Sequence, residues 1–461
     1  MTDWTGWDEE PPPPMPWELT SGSSGADPVD EQPAAEIDPA AFWTARRPLT
    51  IIRNVARERL VSPWAALGGV LAHVCTRIGP HVVLPPIVGG VASLNTFWAF
   101  VGSSGAGKDA ALAVARELLW LNDMVPTHEV GSGQGIDSTY TTQTKEGPVQ
   151  FCDSALFTAT EIDTIAAHAS SAGATLMATL RKVYSGSDLG ARYADKQKRR
   201  PVRAHAYRAA LVAGVQPARS AVLLNDADGG TPQRWLWLPT NDPEALDHDD
   251  LDVEPFAAPQ NGLWQRYQYL DAYGEMEDEE PVLTRPRVEI KVCDTARNAI
   301  IQQRRARLTA PLTGGEDDLN GHALLTRLKV AALLGIFDGG RAEVSEDDWA
   351  LSGAIMAVSD ATRDVCTHAL ADTLRRANVA RAKQEIERAE VTANHTERRV
   401  AAALAKTLRR NSGWVSRSDL RKSLRGADRE YFDSAIERLR AAGQVEEEGS
   451  ERGTKYPAAG E

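Results

Sequence analysis

The residues best suited to chemistry lie in one short run. Gly102-Ser103-Ser104-Gly105-Ala106-Gly107-Lys108-Asp109 follows the apolar segment Phe97–Val101 and precedes the helical pattern AALAVARELLWL. A glycine-rich turn between a strand and a helix start aims backbone N–H groups inward, and the helix dipole adds to that positive field. Such a cradle binds a phosphate chain, with Lys108 reaching the outer phosphates. ATP with Mg²⁺ is the expected ligand. The position after the lysine in such loops is commonly Ser or Thr, whose hydroxyl ligates the metal; here it is Asp109. A carboxylate can bind Mg²⁺ but brings negative charge beside a triphosphate, so different metal handling or reduced activity is expected. Asp109 and Asp163 are the candidate metal ligands.

Ala155–Ala159 is a second short apolar run and ends in Thr160-Glu161-Ile162-Asp163. Glu161 at the C-terminal end of such a strand is placed to orient and deprotonate an attacking water. A third run, Leu211–Val215, ends in Gln216-Pro217; on a strand beside the phosphate strand, the Gln216 amide would hold that water against the γ-phosphate. Arg234 follows a Gly-Gly-Thr-Pro turn and precedes Trp-Leu-Trp-Leu. An arginine there can stabilise transition-state charge in a neighbouring subunit's site.

The elements that must position these residues read as α/β, because residues 96–240 alternate short apolar runs with helical patterns. Residues 1–40 hold ten acidic residues, eight prolines and no Lys or Arg, a composition that favours a disordered tail. Residues 41–95 read as an N-terminal helical segment with breaks at Pro48 and Pro63, ending in short strands. Residues 241–319 read as an acidic insertion or linker, 320–395 as a helical lid, and 396–461 as a winged helix. In that last module Ser416 or Ser418 caps a helix from Asp419, Asp428–Ala442 is a third helix, and residues 444–446 and 454–456 form a hairpin.

Formal net charge is −13, but the acidic residues gather in the N-terminal tail and in 242–280, which leaves the remaining body basic. Global acidity therefore says little about the binding faces. Between Arg181 and Arg208 nine basic residues face two acidic ones. A hairpin with a basic tip is expected there, with Lys196, Lys198, Arg199 and Arg200 on phosphates and Tyr193 stacking on a base. In the weakly basic C-terminal module Arg421, Lys422, Arg425, Arg429 and Lys455 are the candidates for DNA, and a protein partner is the alternative. Four cysteines lie far apart with no CxxC pair, which argues against a zinc ribbon or disulfide scaffold and fits a reducing cytoplasm. No apolar stretch is long enough to span a bilayer.

The order of motifs from 97 to 355 resembles that of AAA+ ring ATPases, the minichromosome maintenance helicases in particular. It is closer still to the primase/helicase-like replication ATPases of actinobacterial phages and integrated elements. Gly131–Ile136 resembles the glycine-rich segment before those helicases' second-strand insertion. TEID resembles their acidic motif, with Thr160 where Asp is usual. Leu211–Pro217 resembles their sensor strand, with Gln216 where Asn is usual, and Thr231–Trp235 resembles the arginine-finger segment. His322–Ile336 resembles the lid, with Arg327 as second sensor on the nucleotide. The resemblance implies a P-loop, AAA+-like core, a homo-oligomeric ring (a hexamer) and DNA-stimulated ATP hydrolysis. It also implies a channel hairpin that grips single-stranded DNA, and contact with other replication proteins. Rival readings are a nucleotide-dependent DNA-binding switch with weak hydrolysis, which Asp109 and Thr160 suggest, and a packaging or partition motor.

Overall fold

The computed structural model describes residues 38–119, 125–170, 175–190, 200–226, 229–245, 286–309, 322–411, 413–450 and 453–456. Packing divides the chain into two compact units, residues 1–365 and 366–461. The first is α/β. Its centre is a five-stranded sheet made of β1 (Thr96–Val101), β2 (Thr127–Glu129), β3 (Ser154–Ala159), β4 (Arg208–Val215) and β5 (Trp235–Pro239). The order is β2-β3-β4-β1-β5 and every pairing is parallel. Parallel strands covered on both faces read as unbroken apolar runs, and every residue of β1 and β4 is buried.

Alternation along β1 assigns its two faces. Trp98 and Phe100 point to the helix Pro63–Thr76, where a Cβ on Gly68 would meet Phe100 Cε1 at 2.9 Å and Leu238 Cδ1 at 2.6 Å. Phe97 points the other way, with its ring 5.7 Å from that of Tyr184 on the helix Leu176–Ser185. The sheet is thus the middle of three layers.

Pro48 and Pro63 open helices, at Arg47–Glu58 and Pro63–Thr76. Proline is tolerated in a first helical turn, whose N–H groups have no intrahelical partner. The expected N-terminal segment 41–95 is no separate body, because its helices share one apolar core with the sheet and with residues 328–355. Part of the expected linker is also structural: Val82–Val83 pairs with Val288–Glu289, and Lys291–Val292 with Glu343–Val344. Ile290, between those two pairings, is fully buried. Local acidity masked that role, which depends on two short pairings with distant partners.

Two buried cations lock these parts through carbonyl and hydroxyl oxygens. The Arg208 guanidinium donates to the carbonyls of Ile78 (3.1 Å), Gly79 (2.9 Å) and Val82 (2.6 Å) and to Ser93 Oγ (2.9 Å). Lys329 Nζ donates to the carbonyls of Asn95 (2.7 Å) and Tyr184 (2.6 Å) and sits 3.4 Å from the centre of the Tyr184 ring. The helix Ala323–Gly339 is thereby tied to the N-terminal end of β1. A helix Glu346–Arg410 follows, and its Ser359 Oγ accepts from Trp237 N on β5 at 2.9 Å.

In the second unit, Val400, Leu404 and Leu408 of that helix share a core with Leu420, Phe432, Ile436, Leu439 and Tyr456. A three-stranded antiparallel sheet is built of Val415–Ser416, Gly453–Tyr456 and Glu448–Ser450, with Gly453–Tyr456 in the middle. Ser416 caps the helix Arg417–Lys422 by accepting from Asp419 N at 3.1 Å. The expected third helix is a 3₁₀ turn (Gly426–Tyr431) leading into Phe432–Ala441. The hairpin's first strand is Glu448–Ser450 rather than 444–446. Tight pairing of Ser450 with Gly453 sets that register, and Val445 is used in the core instead.

Candidate active site

The sheet register brings three sequence-distant chain segments to one edge. Val101 of β1 pairs with Val215 of β4, and Ala159 of β3 pairs with Ala213. Gly102, Gln216 and Thr160-Glu161 therefore all emerge at the C-terminal ends of adjacent strands. The turn after β1 is tightly held, with Gly102 N donating to Val215 O at 3.0 Å. A Cβ on Gly102 would lie 1.8 Å from Thr240 Oγ1, so only glycine fits where the chain leaves the strand. Gly105 and Gly107 take φ of +78° and +73°, a left-handed backbone that glycine adopts without steric cost. Gly107 ends the turn and Lys108 opens the helix Lys108–Leu118. Ser103, Ser104, Gly105 and Asp109 are exposed, while Gly102, Ala106, Gly107 and Lys108 are half-buried.

Lys108 folds back across its own loop. Its Nζ donates to Gly102 O at 3.2 Å and Ser103 O at 3.1 Å. Its stem lies over β4, because a Cβ on Gly214 would meet Lys108 Cδ at 3.0 Å and the Thr160 carbonyl oxygen at 2.2 Å. Burial lowers the lysine's pKa, and the nearby Glu161 and Asp109 carboxylates oppose that shift. A cleft of about 280 Å³ opens here, bordered by Lys108, Asp109, Thr158, Thr160 and Gly214.

Glu161 and Gln216 meet at this edge, with Gln216 Nε2 3.5 Å from Glu161 Oε1, a long hydrogen bond. Asp163 does not join Asp109. In the first turn of the helix Ile162–Ser170, its carboxylate accepts from Arg219 on the 3₁₀ turn Pro217–Arg219. No group of three His, Cys, Asp or Glu side chains suited to a metal occurs among the described residues. Mg²⁺ commonly takes one or two carboxylates, with nucleotide phosphates and waters completing its shell. Asp109, exposed beside Lys108, fits that donor set.

The two arginines lie elsewhere. Arg234 precedes β5, whose Trp235 pairs with Phe97, about 13 Å back along β1 from Val101 at 3.3 Å per residue. It is buried, bonded to Gly229 O and to His322 Nε2 (2.7 Å), with Tyr184's ring centre 5.7 Å away. Burial first and the Arg234 charge second lower the His322 pKa to about 4, so a neutral imidazole accepts that bond. Arg234 thus cannot serve its own phosphate loop. The expected nucleotide contact of Arg327 is replaced by another: its guanidinium stacks on Trp349 at 4.0 Å and donates to Trp349 O at 2.9 Å. The helix carrying it docks at the far end of the strands.

The chain returns to the Val101–Gly102 edge one helix later, and this the sequence reading missed. A cleft of about 460 Å³ adjoins Val101 and Gly102 and is walled by Trp43, Trp64, Pro239 and the helical residues Val358 and Thr362. The Trp43 and Trp64 rings are 4.7 Å apart. Arg57 stands at the cleft, held by Asp242 at 2.7 and 3.2 Å. The only sequence signal was a pair of tryptophans in a helical segment, which reads equally well as core.

Of the expected hairpin, Tyr193, Lys196, Lys198 and Arg199 lie outside the described residues. Its flanks are paired: Leu189 and Val202 exchange backbone hydrogen bonds of 2.9 and 3.2 Å, and Arg200 is half-buried beside them. In the second unit Arg421, Lys422, Arg425, Arg429 and Lys455 are all exposed. No protein-family model matches the chain, and no curated protein sequence matches it.

Proposed function

We propose that this chain is a P-loop ATPase of AAA+ type that couples ATP hydrolysis to work on DNA as a homo-oligomeric ring. The observation that carries the reading is the meeting of Lys108, Glu161 and Gln216 at one sheet edge, beside an aromatic cleft. The triphosphate lies in the glycine loop, where its oxygens replace the two carbonyls that Lys108 now engages. The base enters the cleft of Trp43 and Trp64, which offers apolar, stackable walls next to Gly102. Gln216 orients a water between its amide and the Glu161 carboxylate, and Glu161 takes the proton as that water attacks the γ-phosphorus and the bond from it to the β–γ bridging oxygen breaks, releasing ADP and phosphate. Mg²⁺, when bound, neutralises charge on the outer phosphates, and Asp109 would hold it. Arg234 serves a neighbouring subunit, for which it must leave Gly229 and His322. The second unit's order of helix, strand, two helical segments and hairpin supports a winged helix, with DNA as partner of its exposed arginines.

The second reading is a nucleotide-dependent DNA-binding switch with weak hydrolysis. It is favoured by the Asp163–Arg219 pair, which leaves Asp109 as the one candidate metal carboxylate beside Lys108.

The test is Mg²⁺-dependent ATP turnover with and without single-stranded DNA, on the native chain and Lys108→Ala. DNA-stimulated turnover that falls at least tenfold in Lys108→Ala supports the ATPase. Native turnover that DNA leaves unchanged, with DNA affinity that ATP alters, supports the switch. Unchanged turnover in Lys108→Ala contradicts both.

A further inference from the structure

The helix Glu346–Arg410 contains a stretch that no other described part of the chain covers. Every side chain from Ala371 to Thr392 is exposed. A helix bare on all sides gains nothing from packing, and helical stability in proteins comes mostly from a packed apolar face. This stretch has such a face. Val379 and Ile386 are 57% and 60% exposed, seven residues apart, with Ala382 and Ala389 at the intervening positions and Ala393 beyond. The spacing of three and four residues is that of positions a and d in a coiled-coil heptad.

The flanking charges say what covers it. With Val379 and Ile386 at position a, Arg376, Lys383, Glu390 and Glu397 occupy successive e positions, and Glu385 is at g. In a parallel, in-register pair the g residue of one helix meets the next e residue of the other, so Glu385 would face Glu390 with like charge. In an antiparallel pair e faces e. With Ile386 opposite Ala389 of a second copy, Lys383 meets Glu390 and Arg376 meets Glu397. The two-fold axis repeats both pairs, because such an interface is isologous. The same register stacks Ala382 on Ala393 and Val379 on Thr396, small residues that let the helices approach closely. The segment from Arg376 to Glu397 is about 33 Å long at 1.5 Å per residue. Glu397 also accepts from Arg438 of its own unit at 3.2 Å, so the Lys383–Glu390 pairs at the centre are the discriminating contacts.

We propose that residues 376–397 form an antiparallel two-helix coiled coil with a second copy of this chain. The interface is separate from the nucleotide edge and does not depend on the ATPase reading. Sedimentation velocity on the full chain without nucleotide, over a concentration series, tests it. The native chain should associate reversibly. Glu390→Lys turns both central attractions into repulsions and should weaken the association roughly four- to thirtyfold, from 0.2–0.5 kcal/mol per charged pair in each sense. Adding Lys383→Glu to that variant restores opposite charges and should restore the native constant, which also shows that the helix still folds. Tighter association of Glu390→Lys would mean a parallel pair and overturn the proposal. Association that ignores both changes would place the contact elsewhere. A native chain that stays monomeric at every concentration would mean that the face is covered from within the chain or by another protein, and would equally overturn it.

Discussion

Lys108 engages two loop carbonyls, Gly102 O and Ser103 O, and in the proposed ATPase a triphosphate replaces these neutral acceptors with stronger, charged ones. Gly214 makes this possible. A methyl there would press on the Thr160 carbonyl and on the lysine stem together. Gly214→Ala should therefore destabilise the chain by about 1–3 kcal/mol, as overpacking does, and displace Lys108. Thermal unfolding and titration with a fluorescent ATP analogue should both respond; a native melting temperature with native affinity would remove Gly214 from the site. The aromatic cleft gives a complementary expectation. Trp64→Ala should weaken ATP binding about tenfold, within the 1–3 kcal/mol of one base–aromatic stack. Inorganic triphosphate binding should stay unchanged, because the phosphate loop is intact. Equal losses for both ligands would place the base elsewhere.

The residues at the phosphate edge were legible because each announces itself locally, a glycine run or a polar residue closing an apolar strand. The aromatic cleft was not. Its walls come from residues near 43, 64, 239 and 358, and no local spacing connects positions 300 residues apart.

Among elements, the parallel sheet follows directly from apolar runs that two covered faces demand. Which helix reaches the Gly102–Lys108 edge did not follow. The pattern over His322–Ile336 resembles a helical lid, yet Lys329 and Thr326 tie that helix to Asn95 O and Gln233 O at the opposite end of the strands. Periodicity locates an apolar stripe but not the element it packs on. The turn into the next helix carries a buried carboxylate, Asp348, fully inaccessible and bonded by Arg46, Arg341 and Ser345. Burial alone would raise its pKa, but the bonds from Arg341, Ser345 and Arg46 together outweigh burial and lower it. A lowered folded-state pKa means stability that is complete above the unfolded carboxylate value of 3.8. That stability is lost as pH falls through the folded value. Asp348→Asn should cost about 3 kcal/mol at pH 7, the scale for breaking a buried pair. The deficit against the native chain should shrink below pH 4. Denaturant midpoints of both chains from pH 3 to pH 7 measure it, and a deficit constant across that range would mean the carboxylate's charge contributes nothing.

At the scale of the whole molecule, basic residues cluster within an acidic chain, and no described helix is long and apolar enough to cross a membrane. If DNA is the partner, each phosphate contact releases a condensed counterion, with a salt slope of about 0.7 per contact on single strands. Replacing Lys196, Lys198, Arg199 and Arg200 with Ala should flatten that slope by up to about 3 while leaving ATP binding intact. Deleting 396–461, the part of the second unit that holds its apolar core, should lower affinity without abolishing it. Anisotropy across a salt series on both chains separates the two surfaces. Complete loss on deletion, with no effect of the four substitutions, would assign all DNA binding to the second unit.

In the proposed ATPase, turnover depends most directly on Glu161. Its carboxylate is 3.5 Å from Gln216 Nε2 and coupled to the Lys108 charge, and it is asked to take the proton of the attacking water. ATP binding and ATP turnover measured side by side on the native chain and Glu161→Gln examine that claim alone, since glutamine keeps the shape and removes the base. The predicted result is near-native ATP affinity with turnover reduced at least a hundredfold, the lower bound for losing a general base. Turnover within a factor of two of native would contradict it.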